Sequence, residues 1–210
     1  KRALAMINIR FATIKDIPRI MKFIKENWDE NHIFANNREL FEWQHRDGDN
    51  FNYVIGEDNL DKKIYGAVGF ILMNHTEHPD ISSTMLRAIK SSRDFLGMDI
   101  GIFLTQQTKC RIHCSPGVNK RTAGILLEVI NSYMNKLNLY YRLNDLKDYS
   151  IAVVNNKNIL PVKNEGAKLK EIYSFNEFDK IIDDDFLKTM KPYKDKIYLK
   201  HRYFEHPIYN

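Results

Sequence analysis

Hydrophobic residues near the beginning of the chain recur at two spacings, one typical of helices and one typical of strands. The helical spacing is followed by Ile17, Ile20, Met21, Ile24 and Trp28. Thr13 and Asp16 resemble a capping box at the start of this run, which predicts a helix over 15–28. The segment NRELFEWQHR that follows predicts a second, shorter helix.

Runs rich in β-branched and aromatic residues come next and predict strands. The segment NYVIGEDNLDKKIYGAVGFILMN predicts a hairpin closed by a turn of Asn, Asp and Lys residues. SSTMLRAIK predicts a strand, GMDIGIFLTQQT an apolar helix, CRIHCSPG a strand, KRTAGILLEVINSYM a helix and KLNLYYRLN a strand. The order β(αα)βββαβαβ predicts an α/β fold with a mixed, mostly antiparallel sheet and helices on both faces. A ligand is expected between parallel strands, at their carboxyl ends.

After Asn144 the pattern is less regular. DYSIAVV and AKLKEIYSF predict strands, and NEFDKIIDDDFLKTM predicts a short helix. YKDKIYLKHRYFEHPIYN predicts a final helix that stops at His206 and Pro207. We therefore expect a domain over 7–144 and a C-terminal extension over 145–210.

The composition is that of a folded protein. Hydrophobic residues make up 43% of the 210 residues and charged residues 28%, which excludes the disordered class. The longest apolar runs, such as GAVGFILM, are too short to cross a bilayer, so no membrane insertion is expected. With two cysteines and no signal-peptide pattern, the chain is expected in the cytoplasm.

The charge balance is mildly basic, with 32 Lys and Arg residues, 27 Asp and Glu residues and a formal net charge of +5. Because both signs are interspersed, the excess favours anionic ligands without by itself indicating nucleic acid. The segments LYYRL and KHRYF offer aromatic and basic surfaces, but the first lies in a predicted strand and neither matches a recognised nucleic-acid motif. No nucleic acid is expected as a partner.

Cys110, His113 and Cys114 form a compact C-x-x-H-C pattern of a kind that can bind zinc. On a strand, at ~3.3 Å per residue, the two cysteines would lie about 13 Å apart, whereas two ligands of one zinc approach within about 4 Å. The sequence therefore predicts ordinary core thiols and no metal.

Several segments together resemble the GCN5-related N-acetyltransferase (GNAT) superfamily over residues 7–144. They are INIRFATIKDIPRIMKFI, YVIGED through IYGAVGFIL, TMLRAIK, LGMDIGIFL, GVNKRT and KLNLYYRLN. Within the superfamily, ENWDENHIFANNRELFEWQH and KLNLYYRLN are similar to N-acyltransferases that modify amino sugars of bacterial surface polysaccharides. Some of those relatives are tandem proteins whose second domain begins with a segment resembling YLKHRYFEHPIYN, so the extension is expected to hold the linker and start of an incomplete second domain.

The resemblance implies an acyl-CoA-dependent enzyme. It would move an acetyl or other short acyl group from acyl-CoA to the primary amine of an amino sugar, expected to be nucleotide-linked, for surface polysaccharide biosynthesis. Its partner would be this small-molecule acceptor, and a homodimer is compatible with the resemblance. The alternative is a catalytically degenerate acyl-CoA-binding or regulatory module, because fold does not settle function.

The segment SSRDFLG stands where the resemblance expects the pyrophosphate of the cofactor, between a strand and a helix N-terminus. Its match to the family loop Q/R-x-x-G-x-G/A is partial, because Phe95 stands where a glycine is expected. The alternative is a plain connection with a solvated arginine. The expected cofactor-binding residues are Leu86, Ala88, Ser91, Ser92, Arg93, Gly97 and Asn119. The oxyanion donor would be a backbone N–H of the strand TMLRAIK, which leaves no side-chain signature.

Candidate residues for proton transfer are few. Relatives often carry a tyrosine in the helix after N-x-x-T, where this chain has Leu126 and Leu127, and Tyr133 is the nearest substitute. His113 is a candidate base because histidine titrates near neutral pH, and the alternative is a half-exposed histidine on a strand. His45, Glu57 and water chains remain open as bases.

The first helical pair is expected to recognise the acceptor. It combines flat aromatic surfaces with hydrogen-bonding groups, a mixture that suits sugars. The expected acceptor-binding residues are Trp28, His32, Asn37, Trp43 and His45. The alternative is that the two tryptophans close the helical core.

Overall fold

The computed structural model describes residues 6–91, 93–118, 122, 124, 128, 132–136, 166 and 170–208. The chain divides into two compact units, residues 1–117 with 172–210 and residues 118–171. The predicted strands KLNLYYRLN, apart from Lys136, and DYSIAVV lie outside the described residues, as does the expected domain boundary after 144. The helix predicted in KRTAGILLEVINSYM is helical at 122, 124 and 128 and has no regular structure at 132–134.

The strands and helices of the larger unit follow the predicted order closely. Its strands are Ile7–Phe11 (β1), Arg46–Asp47 (β2), Asn50–Phe51 (β3), Tyr53–Asp58 (β4), Ile64–Leu72 (β5), Asp80–Ala88 (β6) and Ile112–Cys114 (β7). Its helices are Ile17–Asn27 (α1), Ile33–Asn36 (α2), Arg38–His45 (α3), Leu96–Thr108 (α4), Phe175–Ile181 (α5), Asp184–Thr189 (α6) and Lys196–Phe204 (α7). The short hairpin of β2 and β3 is an addition to the predicted elements.

A sheet in the order β1-β4-β5-β6-β7 forms the centre of this unit. All neighbouring strands in it are antiparallel except β6 and β7, which run parallel. Side chains alternate between its faces: Tyr53 and Ile55 pack with α1 and α3, whereas Val54 packs with α4. The predicted mixed, mostly antiparallel sheet with helices on both faces is confirmed.

Two strand glycines allow α4 to lie close to the sheet. A Cβ at Gly66 would lie 2.6 Å from the Ile100 side chain, and one at Gly56 would lie 3.1 Å from Leu96. A side chain at either position would therefore push the helix away. A Cβ at Gly101, within α4 itself, would meet nothing within 4 Å, so this glycine is not needed for the close approach.

The C-terminal part differs from its prediction in two ways. The single helix expected in NEFDKIIDDDFLKTM is two helices, because the Asp183 side chain accepts the Asp185 N–H and begins α6. The strand expected in AKLKEIYSF is wrong where it is described, because residues 170–174 have no regular structure and Ser174 caps α5. As expected, α7 ends before Pro207.

Four charged side chains tie β1, α1 and β4 together. Arg10 lies 2.8 Å from Asp16 and 2.9 Å from Glu57, and Arg19 lies 2.7 Å and 2.6 Å from the same two carboxylates. Both carboxylates are buried. Their burial opposes ionisation, but the hydrogen bonds outweigh it and lower the pKa of Asp16 and of Glu57. Thr13 adds its N–H to Asp16 at 2.9 Å, which confirms the predicted capping contact.

We expect Asp16→Asn to lower the free energy of unfolding by about 2 kcal/mol, because it leaves two guanidinium groups without one of their carboxylates. A carboxylate with a lowered pKa stabilises the fold above its ordinary pKa of ~4 and loses this contribution as the pH falls. The difference between wild type and variant in urea unfolding should therefore shrink below about pH 4.

Glu26→Gln is the matched control. It removes an exposed partner of Lys22 on the same helix, at 3.8 Å, and should cost less than about 0.5 kcal/mol. An equal loss in both variants would contradict the special role of the buried network.

Candidate functional site

The parallel strands β6 and β7 separate soon after they meet. β7 pairs with β6 only at Asp80–Ser82, while β6 continues to Ala88. Beyond that range, no strand among the described residues pairs with this edge of β6. At the point of separation, the Ser83 hydroxyl lies 2.7 Å from that of Ser115 and 3.3 Å from the backbone oxygen of Cys114. We call the opening between β6 after Ser83 and the chain after Cys114 the wedge.

A bulge interrupts β6 within the wedge. Gly69 pairs with Thr84 and Ala67 pairs with Arg87, so a single residue of β5 opposes two residues of β6. The first of these two, Met85, has a φ of 49°. Because a bulge leaves an extra residue outside the ladder and bends the strand, part of the β6 backbone is released from pairing here.

His45 lies in the core beside this bulge and has no exposed surface. Burial lowers its pKa to about 4, so the ring is neutral. Nδ1 lies 3.1 Å from the backbone oxygen of Phe41, which can only accept, and Nε2 lies 3.0 Å from Thr84 Oγ1. The hydrogen bonds therefore assign the proton to Nδ1 and make Nε2 the acceptor. This corrects the expectation that His45 contacts an acceptor molecule, because the ring cannot reach solvent and instead holds Thr84.

The N-terminus of α4 lies at the far end of β6. A Cβ on Gly97 would lie 3.4 Å from that of Ala88, which shows how closely the helix begins against the strand. Phe95 precedes the helix with a φ of 57° and provides no side-chain cap. The first N–H groups of α4 therefore have no side-chain acceptor from the capping residue.

Two of the expected cofactor side chains near this N-terminus already have partners within the protein. Arg93 donates to Asp99 at 2.6 Å, and the Ser91 hydroxyl bonds the backbone of Arg93. Leu86 is partly exposed on β6. Ser92 and Asn119 lie outside the described residues. The backbone of α4, more than Arg93, is thus the available anion-binding group.

His113 lies on β7 at the closed end of the wedge, in register with Ile81. Its Nδ1 lies 3.1 Å from Thr105 Oγ1, and that hydroxyl donates to the backbone oxygen of Gly101. Nδ1 therefore carries the proton, and Nε2 faces the Ser115 hydroxyl at 3.5 Å. Burial lowers the pKa of His113, which favours the neutral ring and a free lone pair on Nε2.

Tyr133, the other residue expected in proton transfer, belongs to the smaller unit, where it is 91% exposed.

Two expected acceptor-binding residues instead begin helices. His32 accepts the Phe34 N–H at 3.1 Å and begins α2, and Asn37 accepts the Leu40 N–H at 2.9 Å and begins α3. Asparagine before a helix is a common capping signal, so this role of Asn37 could have been predicted. Trp28 follows α1 and is 47% exposed.

A cleft of about 550 Å³ lies between α3, the hairpin of β2 and β3, the end of β5 and the helices α5 and α7. Trp43 lines this cleft, whereas Trp28, His32, Asn37 and His45 do not. The sequence-predicted acceptor residues are therefore dispersed. The contribution of α7 was missed, because no local pattern indicates which surface a C-terminal helix will cover.

The Trp43 ring is partly covered by the C-terminal segment, which consists of α7 and the residues just before and after it, 193–206. It stacks on His201 with centroids 4.6 Å apart, and His206 lies at 4.4 Å in a tilted arrangement. His201 Nε2 also donates to the backbone oxygen of Trp43 at 2.8 Å. These contacts occupy ring surface that the sequence analysis assigned to a sugar.

Polar contacts fasten the C-terminal segment to the loop between β5 and β6. Asp195 accepts the backbone N–H and Nδ1 of His75, both at 2.8 Å, and it also caps α7 through the Tyr198 N–H. Asp47 lies 3.6 Å from the other nitrogen of His75. The hydrogen bond that His75 donates to Asp195 outweighs burial and, helped by Asp47, raises the pKa of His75.

No helix among the described residues is long and apolar enough to span a membrane. Within the same residues, no group of His, Cys, Asp and Glu side chains is arranged to hold a metal ion.

Comparisons with known proteins bear on the fold. No protein-family model matches the chain, and no curated protein matches it. Among solved structures, an aminoglycoside acetyltransferase from an uncultured soil metagenomic sample superposes with a TM-score of 0.50 at 11% identity, over 66% of this chain and 98% of its own. At this identity the likeness is one of fold alone: the chain has the fold of the GNAT acetyltransferases.

Two further structures are less similar by TM-score. The aminoglycoside N-acetyltransferase AAC(6')-Iy, in complex with the bisubstrate analogue CoA-S-monomethyl-acetylneamine, gives 0.49 at 12% identity, over 67% of this chain and 99% of its own. A transcriptional regulator from Bacillus halodurans C-125 gives 0.48 at 11% identity, over 65% and 100%.

We expect His75→Gln to destabilise the protein in a pH-dependent way. Because the pKa of His75 is raised in the folded protein, its contribution to the free energy of unfolding is complete below pH ~6.5, the pKa of the unfolded chain. This contribution is lost as the pH rises through the pKa of the folded protein. The pKa of Asp195 is lowered against its burial by His75, so its part is lost as the pH falls below ~4. The variant should lose about 1 kcal/mol near pH 6 and less near pH 9, measured by urea unfolding.

His78→Gln is the control for this measurement, because His78 lies on the same loop and bonds a backbone oxygen, that of Lys109, at 3.0 Å. A pH-independent loss in His75→Gln, or the same profile in both variants, would contradict the assigned contact.

Proposed function

We propose that the protein is an N-acyltransferase that moves an acetyl or other short acyl group from acyl-CoA to the primary amine of an amino sugar. The observation that supports this most is the wedge, with its bulged strand and the uncapped N-terminus of α4 at one end. Together they offer an extended polar edge and a cluster of N–H groups, the two features that a long phosphate-bearing thioester needs.

The cofactor would bind along β6. Its pyrophosphate would accept N–H groups at the start of α4, near Gly97, where the helix dipole also favours negative charge. Leu86 and Ala88 would border its acyl-carrying arm. The bulge at Met85 supports a backbone N–H as donor to the thioester oxygen, because hydrogen-bond donors that are fixed in advance stabilise the developing oxyanion.

In the reaction, the acceptor nitrogen would form a bond to the acyl carbon while the carbon–sulfur bond breaks. The ammonium form of the amine must first lose a proton. His113 is proposed to accept it at Nε2, directly or through Ser115, because its ring is neutral and its other nitrogen donates to Thr105. As the amide forms, its nitrogen releases a second proton. The departing thiolate takes up a proton from Tyr133, the proposed donor, and Tyr133 regains the proton that the nitrogen released.

The acceptor is proposed to be a nucleotide-linked amino sugar of surface polysaccharide biosynthesis, bound in the cleft beside Trp43. Aromatic and polar side chains line this cleft, which supports a sugar ligand. Trp28, on the surface beyond α1, is a second proposed contact. The low number of cysteines supports action in the cytoplasm.

A catalytically degenerate acyl-CoA-binding module is the second candidate. The chain has Leu126 and Leu127 where relatives often carry a tyrosine, and this favours it, because a module that only binds acyl-CoA needs no proton donor. The two candidates differ in one measurement. An enzyme releases free thiol from acetyl-CoA when amino sugars are added, whereas the module is stabilised by acetyl-CoA without thiol release.

Gly97→Asp tests the proposed phosphate seat. A carboxylate in the first turn stabilises a helix by about 0.3–1 kcal/mol but repels a phosphate at the same N–H groups. We therefore expect an unchanged or higher Tm together with a roughly tenfold weaker affinity for CoA by calorimetry. Gly97→Asn is the neutral control of the same size. Equal affinities of the Asp and Asn variants would remove this N-terminus from the site.

His113→Ala tests the proposed base. Loss of a general base should lower kcat by about 10²-fold or more and leave the affinity for CoA nearly unchanged. Because burial lowers the pKa of His113, the kcat of the wild type should fall on the acidic side only below pH ~6.5, the ordinary pKa of histidine. His78→Ala is the control, and a kcat equal to that of wild type in His113→Ala would exclude the role.

A further inference from the structure

The cleft beside Trp43 contains more positive charge than its own carboxylates neutralise. It is bordered by four basic side chains from two parts of the chain, namely Arg46, Lys196, Lys200 and Arg202. Lys196 pairs with Asp179 at 2.8 Å and with Asp184 at 3.4 Å, and Lys200 pairs with Glu205 at 2.9 Å. Asp179, Asp184 and Glu205 are thus paired with the two lysines.

Arg46 and Arg202 are left without a carboxylate. Arg46 Nε donates to the backbone oxygen of Gly48 at 2.9 Å, and the guanidinium of Arg202 lies 5.8 Å from the centre of the Trp43 ring. Among the described residues, no ion pair joins either of them to an acid. The remaining acid of the cleft, Asp47, faces His75. Two guanidinium groups beside an aromatic ring therefore face the same space with unbalanced charge.

Trp43, which lines the cleft, carries an unpaired polar atom. Its indole Nε1 is buried and has no hydrogen-bond acceptor within the described part of the chain. Buried N–H groups are nearly always paired with protein, water or ligand. Because Nε1 has almost no accessible surface, a ligand oxygen could pair with it only after the ring or a neighbouring group moved, so the case for a ligand rests on the two arginines.

The cleft is also separate from the proposed cofactor phosphates. It touches the end of β5 at Ile71 and Leu72, and Leu72 pairs with Ile81 near the start of β6. The N-terminus of α4 lies against Ala88, at the opposite end of β6. At ~3.3 Å per residue, these two ends of the strand are about 20 Å apart.

We infer that the cleft binds a phosphate group of the acceptor between the guanidinium groups of Arg46 and Arg202, so that α7 selects a phosphate-linked amino sugar. Guanidinium groups bind phosphate oxygens in pairs of charge-assisted hydrogen bonds, which gives both affinity and orientation. The role of this phosphate in an acceptor rests on the proposed function, whereas its binding in the cleft does not.

Calorimetry with the full chain and no CoA tests the binding. Uridine 5′-diphosphate and inorganic pyrophosphate should bind, and uridine should bind much more weakly. Arg202→Gln and Arg46→Gln should each weaken binding of the diphosphate about tenfold, while Arg202→Lys keeps part of it. Lys22→Gln, an exposed change on α1 with its own partner Glu26, should have no effect. Thermal unfolding of each variant checks that it is folded.

Three results would overturn the inference: no binding of either phosphate probe, equal binding by folded wild type and arginine variants, or displacement of the diphosphate by CoA. The last would assign the phosphate to the cofactor. Turnover separates this inference from the proposed function. If arginine-dependent binding occurs without acetyl transfer to any amino sugar, the proposed function fails and the anion site stands. If amino sugars with and without phosphate react equally in wild type and variants, the enzyme stands and the selective role of α7 fails.

Discussion

The absence of a side chain at Gly69 is the constraint on which the candidate site depends. A Cβ there would lie 2.4 Å from Thr84 Oγ1, 2.5 Å from the Tyr53 ring and 2.7 Å from His45 Nε2. Because that volume is free, His45 reaches across the sheet and fixes Thr84 through a buried hydrogen bond. Thr84 comes directly before the bulge. The missing side chain at Gly69 on β5 therefore determines the shape of β6 at its edge.

Periodicity was sufficient to predict the sheet and its main helices. The stripe of Ile17, Ile20 and Ile24 is buried, and the strands around Val54 and Val68 are fully enclosed, so burial and pattern agree. The candidate site was harder to predict. His32 and Asn37 suggested sugar binding by residue type, yet local backbone N–H groups already use their side chains. His45 is similar, because only the neighbouring strands make its position a core position.

The remaining differences arise where distant segments meet. The bulge at Met85 and the hydrogen bond of Ser83 with Ser115 depend on pairing between strands, which a single sequence does not reveal. The same holds for the cleft, because its basic residues come from β2 and α7, which lie far apart in the chain. Each of these residues looks ordinary in the sequence, and only their juxtaposition gives a charge imbalance.

The contact of His201 with Trp43 joins residues 158 positions apart in the chain. During synthesis the N-terminal part emerges first, and the residues through 117 contain every strand of the wedge. The wall of the cleft that α7 supplies can form only after the ribosome has added a further eighty or so residues, and contacts of such large separation close slowly. A nascent chain therefore releases the two ends of its candidate site in a fixed order, and the surface that would select its second ligand emerges after the strands of the wedge.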